Sequence, residues 1–446
     1  MEEQQELPQG WVWTRVGEIA TTSSGGTPSR SNPSYFTGNI PWIKSGELGD
    51  GYVVEHDEFI NEEALVNSSA KLFPKGTLLI ALYGATVGKV GILTMDAATN
   101  QAVCGIFLPP WIELKYAFNY FFSIRRDLIE LGKGGAQPNI SQDIVRNTLF
   151  PLPPLPEQRR IVAKLEELFS KLDAGVAAVR RTQALLKRYR QSVLHAAVTG
   201  ELTRAWREAQ VSLGRDESQL VWKETTIGDV THNLDNKRKP VSKKIRAEGD
   251  GTYPYYGANG QTGSIDDFIF DEDLVLVVED ETFVGRIKPF CYKISGKTWV
   301  NNHAHVLKAK ESLTTDYLNY SLSYYPFTPL TTGSTGRKKL TKAALTGAPY
   351  QLPSLDEQHK IVAEVERCIS VIDALELTLD DELKRAERLR QSILHRAFTG
   401  RLVPQVATDE PAATLLARLR ETPAAPAKTK AGRGRKTVAQ QTTLGL

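Results

Sequence analysis

Two long stretches of this chain carry the same pattern of apolar positions. In the first, Ile161, Leu165, Leu168, Leu172, Val176, Val179, Leu186 and Val193 recur mostly at three- and four-residue steps; in the second, Ile361, Val365, Ile369, Ile372, Leu379, Leu383, Ala386 and Ile393 do the same. Such spacing predicts a helix with one apolar stripe and charge on its other faces. Pro156 suits a first turn, where its missing N–H has no partner to lose. Ser354 and Glu357 have the spacing of a capping box, and Thr199-Gly200 and Thr399-Gly400 fit the far ends, because glycine accepts the left-handed cap. Each helix runs for about 40 residues and therefore about 60 Å. A stripe of that length needs a partner. Two matched stripes in one chain favour an intramolecular antiparallel pair; packing on the helix's own globular part, or a homodimeric coil, are the other arrangements.

Outside these stretches the pattern changes. Residues 78–83 and 274–278 are short apolar runs of strand length among glycines, while residues 116–131 and 316–324 read as helices. This mixture predicts α+β globular parts ahead of each long helix.

The chain repeats itself. Residues 151–203 align without a gap on residues 351–403 and are identical at 22 of 53 positions. Fainter matches lie upstream: Val16-Gly17-Glu18-Ile19 with Ile227-Gly228-Asp229-Val230, Ile40-Pro41-Trp42 with Tyr253-Pro254-Tyr255, and Val87-Gly88-Lys89-Val90 with Val284-Gly285-Arg286-Ile287. The chain is therefore a tandem of two halves, roughly 10–203 and 219–403, each with a more variable globular part before a better-matched helix.

With 446 residues, two or three domains are expected, each able to bury a core. A net charge of +3 decides little. Its clustering at Lys237, Arg238, Lys239, Lys243, Lys244 and Arg246, and at Lys428, Lys430, Arg433, Arg435 and Lys436, suits either solubility or nucleic acid. Cys104, Cys291 and Cys368 lack metal-ligand spacing and any paired framework, which fits a reducing cytoplasm. The opening MEEQQELPQG is not a signal peptide, and no apolar run is long enough to span a membrane.

Fragments that imitate catalytic motifs are incomplete. Gly84-Ala-Thr-Val-Gly88-Lys89 lacks one spacer residue and the Ser/Thr of a phosphate-binding loop. In Leu108-Pro109-Pro110-Trp111, leucine stands where an amino-methyltransferase needs a hydrogen-bond acceptor. His303 and His305 share a strand face without completing a metal site. Glu279-Asp280-Glu281 reads as an exposed acidic turn. No catalytic residue, cofactor site or metal site is expected.

The helix openings PLPPLPEQRRIV and QLPSLDEQHKIV and the endings RQSVLHAAVTGELT and RQSILHRAFTGRLV resemble those of the specificity subunits of type I restriction-modification systems. TPSRSNPSYFTGNIPWIKSG, YPYYGANGQTG, WVNNHAHVL and GGAQPNIS look like the family's target-recognition domains. The resemblance covers roughly residues 7–403; the basic tail after Pro404 departs from it. It implies an α+β fold: two mixed α/β target-recognition domains (1–150 and 221–350) separated by two long antiparallel coiled-coil-like helices (151–203 and 351–403), in an internal pseudo-two-fold repeat. Residues 204–220 are expected as a linker and 404–446 as a disordered basic tail.

The same resemblance implies a non-catalytic, cytoplasmic DNA reader of a bacterium or archaeon. It would recognise an asymmetric bipartite site in double-stranded DNA and dock two adenine-N6 methyltransferase subunits and motor-nuclease subunits. S-adenosylmethionine, ATP and Mg²⁺ would belong to those partners. A stand-alone sequence-specific DNA-binding protein is the alternative; a fused restriction-methylation enzyme would need motifs missing here. Rigid helices would make half-site spacing geometric, so four residues inserted near 199–202 are expected to lengthen the first helix by about 6 Å.

Amides and guanidinium groups make paired hydrogen bonds to base edges, while many lysines hold only phosphates. The candidate contacts in the first half are Ser24, Thr27, Arg30, Lys44, Tyr83, Lys89, Gln101, Lys133, Gln137 and Asn139. In the second half they are Lys237, Arg238, Lys243, Lys244, Tyr256, Asn259, Gln261, Arg286, Asn302, His303, Arg337, Lys338 and Lys339. Tyr253, Tyr255 and Tyr256 suit base stacking or internal packing. The last six residues, QTTLGL, resemble the short peptides that dock on bacterial sliding clamps.

Overall fold

The computed structural model describes residues 6–54, 56–132, 139–242, 251–281, 283–286, 288–333 and 338–421. Lys133, Gln137, Lys243, Lys244, Arg337 and residues 441–446 lie outside them. The chain divides into two compact units, one of Met1–Gly175 with Arg385–Leu446 and one of Val176–Lys384.

In unit 1 a five-stranded sheet runs in the order Thr21–Ser24, Val103–Phe107, Leu78–Ala81, Val90–Leu93, Gly51–Val53. A second, four-stranded sheet is built on Ile40–Ile43 and Ala97–Thr99. Its neighbour strands are short, so the alternating code is weak and only the apolar run at 78–83 announced itself. That run is a strand over Leu78–Ala81, buried throughout. The helix read at 116–131 is two helices, Leu114–Ser123 and Arg125–Leu131, meeting at Ile124. Val12–Arg15 pairs antiparallel with Leu149–Leu152, bringing the two ends of the globular part together just before the long helix starts.

Unit 2 repeats this plan. Thr231–Asn233, Ala304–Ala309, Leu274–Val278 and Cys291–Ile294 form one sheet, and Lys223–Thr226 closes on Pro349–Leu352. The expected strand at 274–278 is found there, buried at every residue.

The long helices are Leu155–Val198 and Leu355–Phe398, 44 residues each. Both stop before a left-handed glycine, Gly200 at φ 79° and Gly400 at φ 68°. Half of the expected capping box forms. The Glu357 N–H donates to Ser354 Oγ at 3.4 Å, but the Glu357 carboxylate turns elsewhere. Within unit 2 the helices run antiparallel: Gln183 Nε2 donates to Asp380 at 2.7 Å, and Arg190 pairs with Asp373 seven residues further along one helix and seven back along the other. In unit 1 Arg390 pairs with Asp173 in the same sense. Half-buried positions fall at 172, 176, 179, 183, 186 and 190, the alternating four-three spacing of a coiled-coil seam.

Each globular core receives one end of both helices. Ile161, Leu165, Leu394 and Ala397 are buried in the core of unit 1; Leu194, Ala197, Ile361 and Val365 are buried in that of unit 2. Intramolecular pairing is thereby the observed arrangement.

Two sequence expectations need correction. Residues 204–220 are not a bare linker: Arg204–Ser212 is a helix, and Arg207 pairs with the fully buried Glu357. Nor does a tail begin at 404. Gln405 Nε2 donates to Glu157 at 3.1 Å, Arg160 pairs with Asp409 at 2.7 Å, and the helix Ala412–Glu421 buries Ala412 and Leu416 in the core of unit 1. The reason is local: Ala412, Leu415 and Leu416 make a short apolar stripe that the Pro- and Ala-rich composition around it hid. An insertion at residues 199–202 would also fall in the glycine cap and in the Thr203–Glu357 hydrogen bond (2.7 Å), so it would not extend the helix.

Candidate nucleic-acid interface

Several of the polar candidates gather at one structurally equivalent place in each unit. In unit 1 the Leu82 N–H donates to the Ala102 carbonyl and the Ile140 N–H donates to the Leu82 carbonyl, both at 2.7 Å. In unit 2 the Glu279 N–H donates to the His303 carbonyl at 3.1 Å and the Leu340 N–H to the Glu279 carbonyl at 2.8 Å. Three distant segments thus cross at the rim of the main sheet in both copies. Flanking residues continue the match: Tyr83 bridges to Asn139, and Asp280 pairs with Lys339.

Around the unit 1 crossing stand Ser24, Thr27, Tyr83, Lys89, Gln101 and Asn139. Ser24 Oγ donates to Gln142 at 3.1 Å, and Thr27 bonds Gln101. Gly25 lets these loops meet, since a Cβ there would lie 2.1 Å from Thr99 Oγ1. Gln101 and Asn139 are exposed; Tyr83 and Lys89 are half-buried. Gln142, which the sequence reading missed, ties the loops down by donating to the Thr22 carbonyl at 2.9 Å. No motif marks it.

Arg30 and Lys44 belong to a different knot. Arg30 lies over the Phe36 ring at 4.3 Å and pairs with Glu58 at 2.7 Å. Lys44 pairs with Glu58 at 3.1 Å, with Glu47 and Asp57 at 3.8 Å, and its hydrogen bond to Glu58 holds its ammonium above the usual lysine range. Its charge is thus largely compensated within the protein.

Around the unit 2 crossing stand Asn302, His303, Lys338 and Lys339, with Lys237, Asn259 and Arg286 on neighbouring turns and Gln261 on the strand Gly260–Ile265. Lys237, Asn259, Gln261, Asn302, His303 and Lys339 are exposed. Arg286 donates to Asn259 Oδ1 at 2.8 Å and to the Pro289 carbonyl. Tyr255 is 1% exposed and Tyr256 packs on Tyr292, so these two rings serve the core and do not stand out as a stacking platform.

Two readings change here. Arg238 is not a surface group: only 13% of its side chain is exposed, and it is held by Glu279, Asp235 (3.5 Å) and the Ala304 carbonyl (2.7 Å). Glu279 is buried, contrary to the exposed acidic turn expected for residues 279–281. Burial works against the charge on Glu279 and on Asp235. Even so, Arg238 and His305 hold the Glu279 carboxyl below the usual range, and His305 does the same for Asp235. Among the described residues Asp235, Glu279 and His305 are the one trio whose ligand atoms lie within 4.8 Å of one another. Arg238 pairs with both carboxylates of that trio, and Lys339 pairs with Glu279.

The fold is that of a duplicated α+β protein. A family model described as the type I restriction modification DNA specificity domain matches twice, at residues 8–177 and 220–385, and the chain belongs to that family, the specificity subunits of type I restriction-modification enzymes. It is 25% identical over 437 residues to the type I restriction enzyme StySPI specificity subunit of Salmonella potsdam, covering 91% of this chain and 92% of that one. It is 25% identical over 477 residues to the EcoKI specificity subunit of Escherichia coli K12, covering 96% and 98%. Among solved structures, the HsdS subunit from Thermoanaerobacter tengcongensis shares the fold, with a TM-score of 0.54 and 24% identity over 90% of this chain and 100% of that chain. A chain from a type I R-M system studied for complex assembly and conformational transition shares it with a TM-score of 0.65 and 24% identity, over 89% and 100%. No helix among the described residues is long and apolar enough to cross a membrane.

Proposed function

We propose that this chain is the non-catalytic DNA-reading subunit of a type I restriction-modification complex, each unit contributing the reader for one half of an asymmetric bipartite site. The observation that carries this is the repeated three-segment crossing: one backbone frame, twice, presenting Gln101 and Asn139 in one copy and Asn302 and Lys339 in the other. Same frame and different side chains is what two half-sites of different sequence require. The relatives named above as specificity subunits support the same role.

Docking of two adenine-N6 methyltransferase subunits and the motor-nuclease subunits is part of this proposal, with S-adenosylmethionine, ATP and Mg²⁺ carried by those partners in the cytoplasm. In its favour, the long helices of unit 2 keep Leu185, Tyr189, Val371 and Leu377 more than half exposed, more apolar surface than a solvated helix needs. The test is sequencing of host DNA for N6-methyladenine with and without this gene. A split motif that vanishes with the gene is expected; unchanged methylation, with no methyltransferase co-purifying, leaves the stand-alone DNA-binding protein instead.

A further inference from the structure

Beneath the reading loops, unit 2 buries charges where unit 1 has none. Strand register matches the two copies position by position. Ser24 lies opposite Cys104 and Cys104 opposite Ile80; in unit 2 His305 lies opposite Val277, and Asp235 holds the place across from His305. Leu82 and Glu279 share the crossing itself. Asp235, Glu279 and His305 therefore occupy the places of Ser24, Leu82 and Cys104, and Arg238 follows Asp235 at the same three-residue step by which Thr27 follows Ser24.

The four side chains form one network. His305 Nδ1 lies 2.6 Å from Asp235 Oδ2, and His305 Nε2 lies 2.8 Å from the Leu340 carbonyl. Arg238 joins Glu279 to Asp235 and donates to the Ala304 carbonyl, and Lys339 Nζ meets the other Glu279 oxygen at 3.2 Å. Asp235 also accepts the Val306 N–H at 2.8 Å. Side-chain exposure runs from 1% at His305 to 13% at Arg238.

Unit 1 folds the same strands over Leu82 and Cys104, so the sheet does not need these charges. Apolar residues generally stabilise such a place as well or better; what a buried ion network adds is demanding geometry, because a displaced partner leaves a charge uncompensated. Here that geometry ties together the segments carrying Lys237, Asn302, His303, Lys338 and Lys339.

We propose that Asp235, Arg238, Glu279 and His305 are positioning residues that hold the reading loops of unit 2 in one arrangement and thereby set sequence discrimination at the half-site that unit 2 reads. This rests on the DNA-reading function proposed above. The test uses the full chain in its methyltransferase complex, once its methylated motif is mapped. Two variants are compared with wild type: the copy-one set Asp235→Ser, Arg238→Thr, Glu279→Leu and His305→Cys, and the single Glu279→Gln in case the first does not fold. Binding is measured on duplexes altered in one half of the motif at a time, beside a melting curve. The expected result is that discrimination falls about tenfold or more at one half and is unchanged at the other. Unchanged discrimination at both halves, or equal loss at both, overturns the positioning role. Should wild type itself show no separable half-sites, the DNA-reading assignment fails instead.

Discussion

Glu157 and Glu357 open the two long helices at the same repeat position, yet the two carboxylates live differently, and that difference has a measurable size. Glu357 is fully buried, accepts Thr203 Oγ1 at 2.7 Å and Trp222 Nε1 at 2.9 Å, and pairs with Arg207. Glu357→Gln keeps the shape but turns an amide donor toward a site already filled with donors, and leaves Arg207 without its counter-ion. Breaking a buried pair costs about 3–5 kcal/mol. Because about a quarter of the Arg207 side chain is exposed, the lower end applies, about 3 kcal/mol. For a unit of this size that lowers the melting temperature by roughly 6–12 °C. Glu157 accepts Gln405 at 3.1 Å, and burial pushes its carboxyl above the usual range. Glu157→Gln therefore costs no more than about 1 kcal/mol, the worth of one ordinary hydrogen bond. Differential scanning calorimetry of the full chain, reading each transition separately, makes the comparison. Equal shifts for the two variants, or a shift below about 3 °C for Glu357→Gln, would show that the buried Glu357–Arg207 pair does not carry this stability.

Other outcomes follow from the same contacts. Because the Glu157 carboxyl is raised in the folded state, its contribution is present below the unfolded value near 4.5 and is lost as pH climbs through the folded value. Glu157→Gln removes that loss, so its melting temperature should gain on wild type as pH rises above the unfolded value; a pH-independent difference contradicts this. At the end of the second long helix Phe398 packs on Tyr116 and Tyr120 with ring centroids 5.3 and 5.1 Å apart, whereas the repeat places Val198 beside a 260 Å³ cavity lined by Tyr317, Ser321 and Tyr350. Val198→Phe should fill it and add about 0.5–2 kcal/mol, and an unaltered or lower melting temperature counts against it. Burial pushes the Cys104 and Cys291 thiols up to about 12; both should resist iodoacetamide at pH 8 until the protein is unfolded, and rapid native labelling at either position would contradict their burial.

Much of this protein is legible along the chain because its information is periodic. The heptad-like stripes, the glycine caps and the two copies offset by 200 residues are local or self-comparing signals, and they yield the helices, their ends and the duplication. The strands at 78–81 and 274–278 showed by a different local signal, as unbroken apolar runs. Of the candidate residues, Gln101, Asn139, Asn302 and Lys339 lie on segments that the fold brings together at the two crossings.

What the chain order could not show is which partners a charge finds. Arg238 reads as one more member of a basic cluster, and Glu279 as an exposed turn, until the fold brings them together from 41 residues apart. Glu357 looks like half of a capping box until Trp222 and Arg207 arrive from 135 and 150 residues away. Only folding placed residues 405–416 against the first long helix. Periodicity is written in neighbours, so a sequence determines it alone; the state of a buried charge depends on whatever tertiary packing sets beside it.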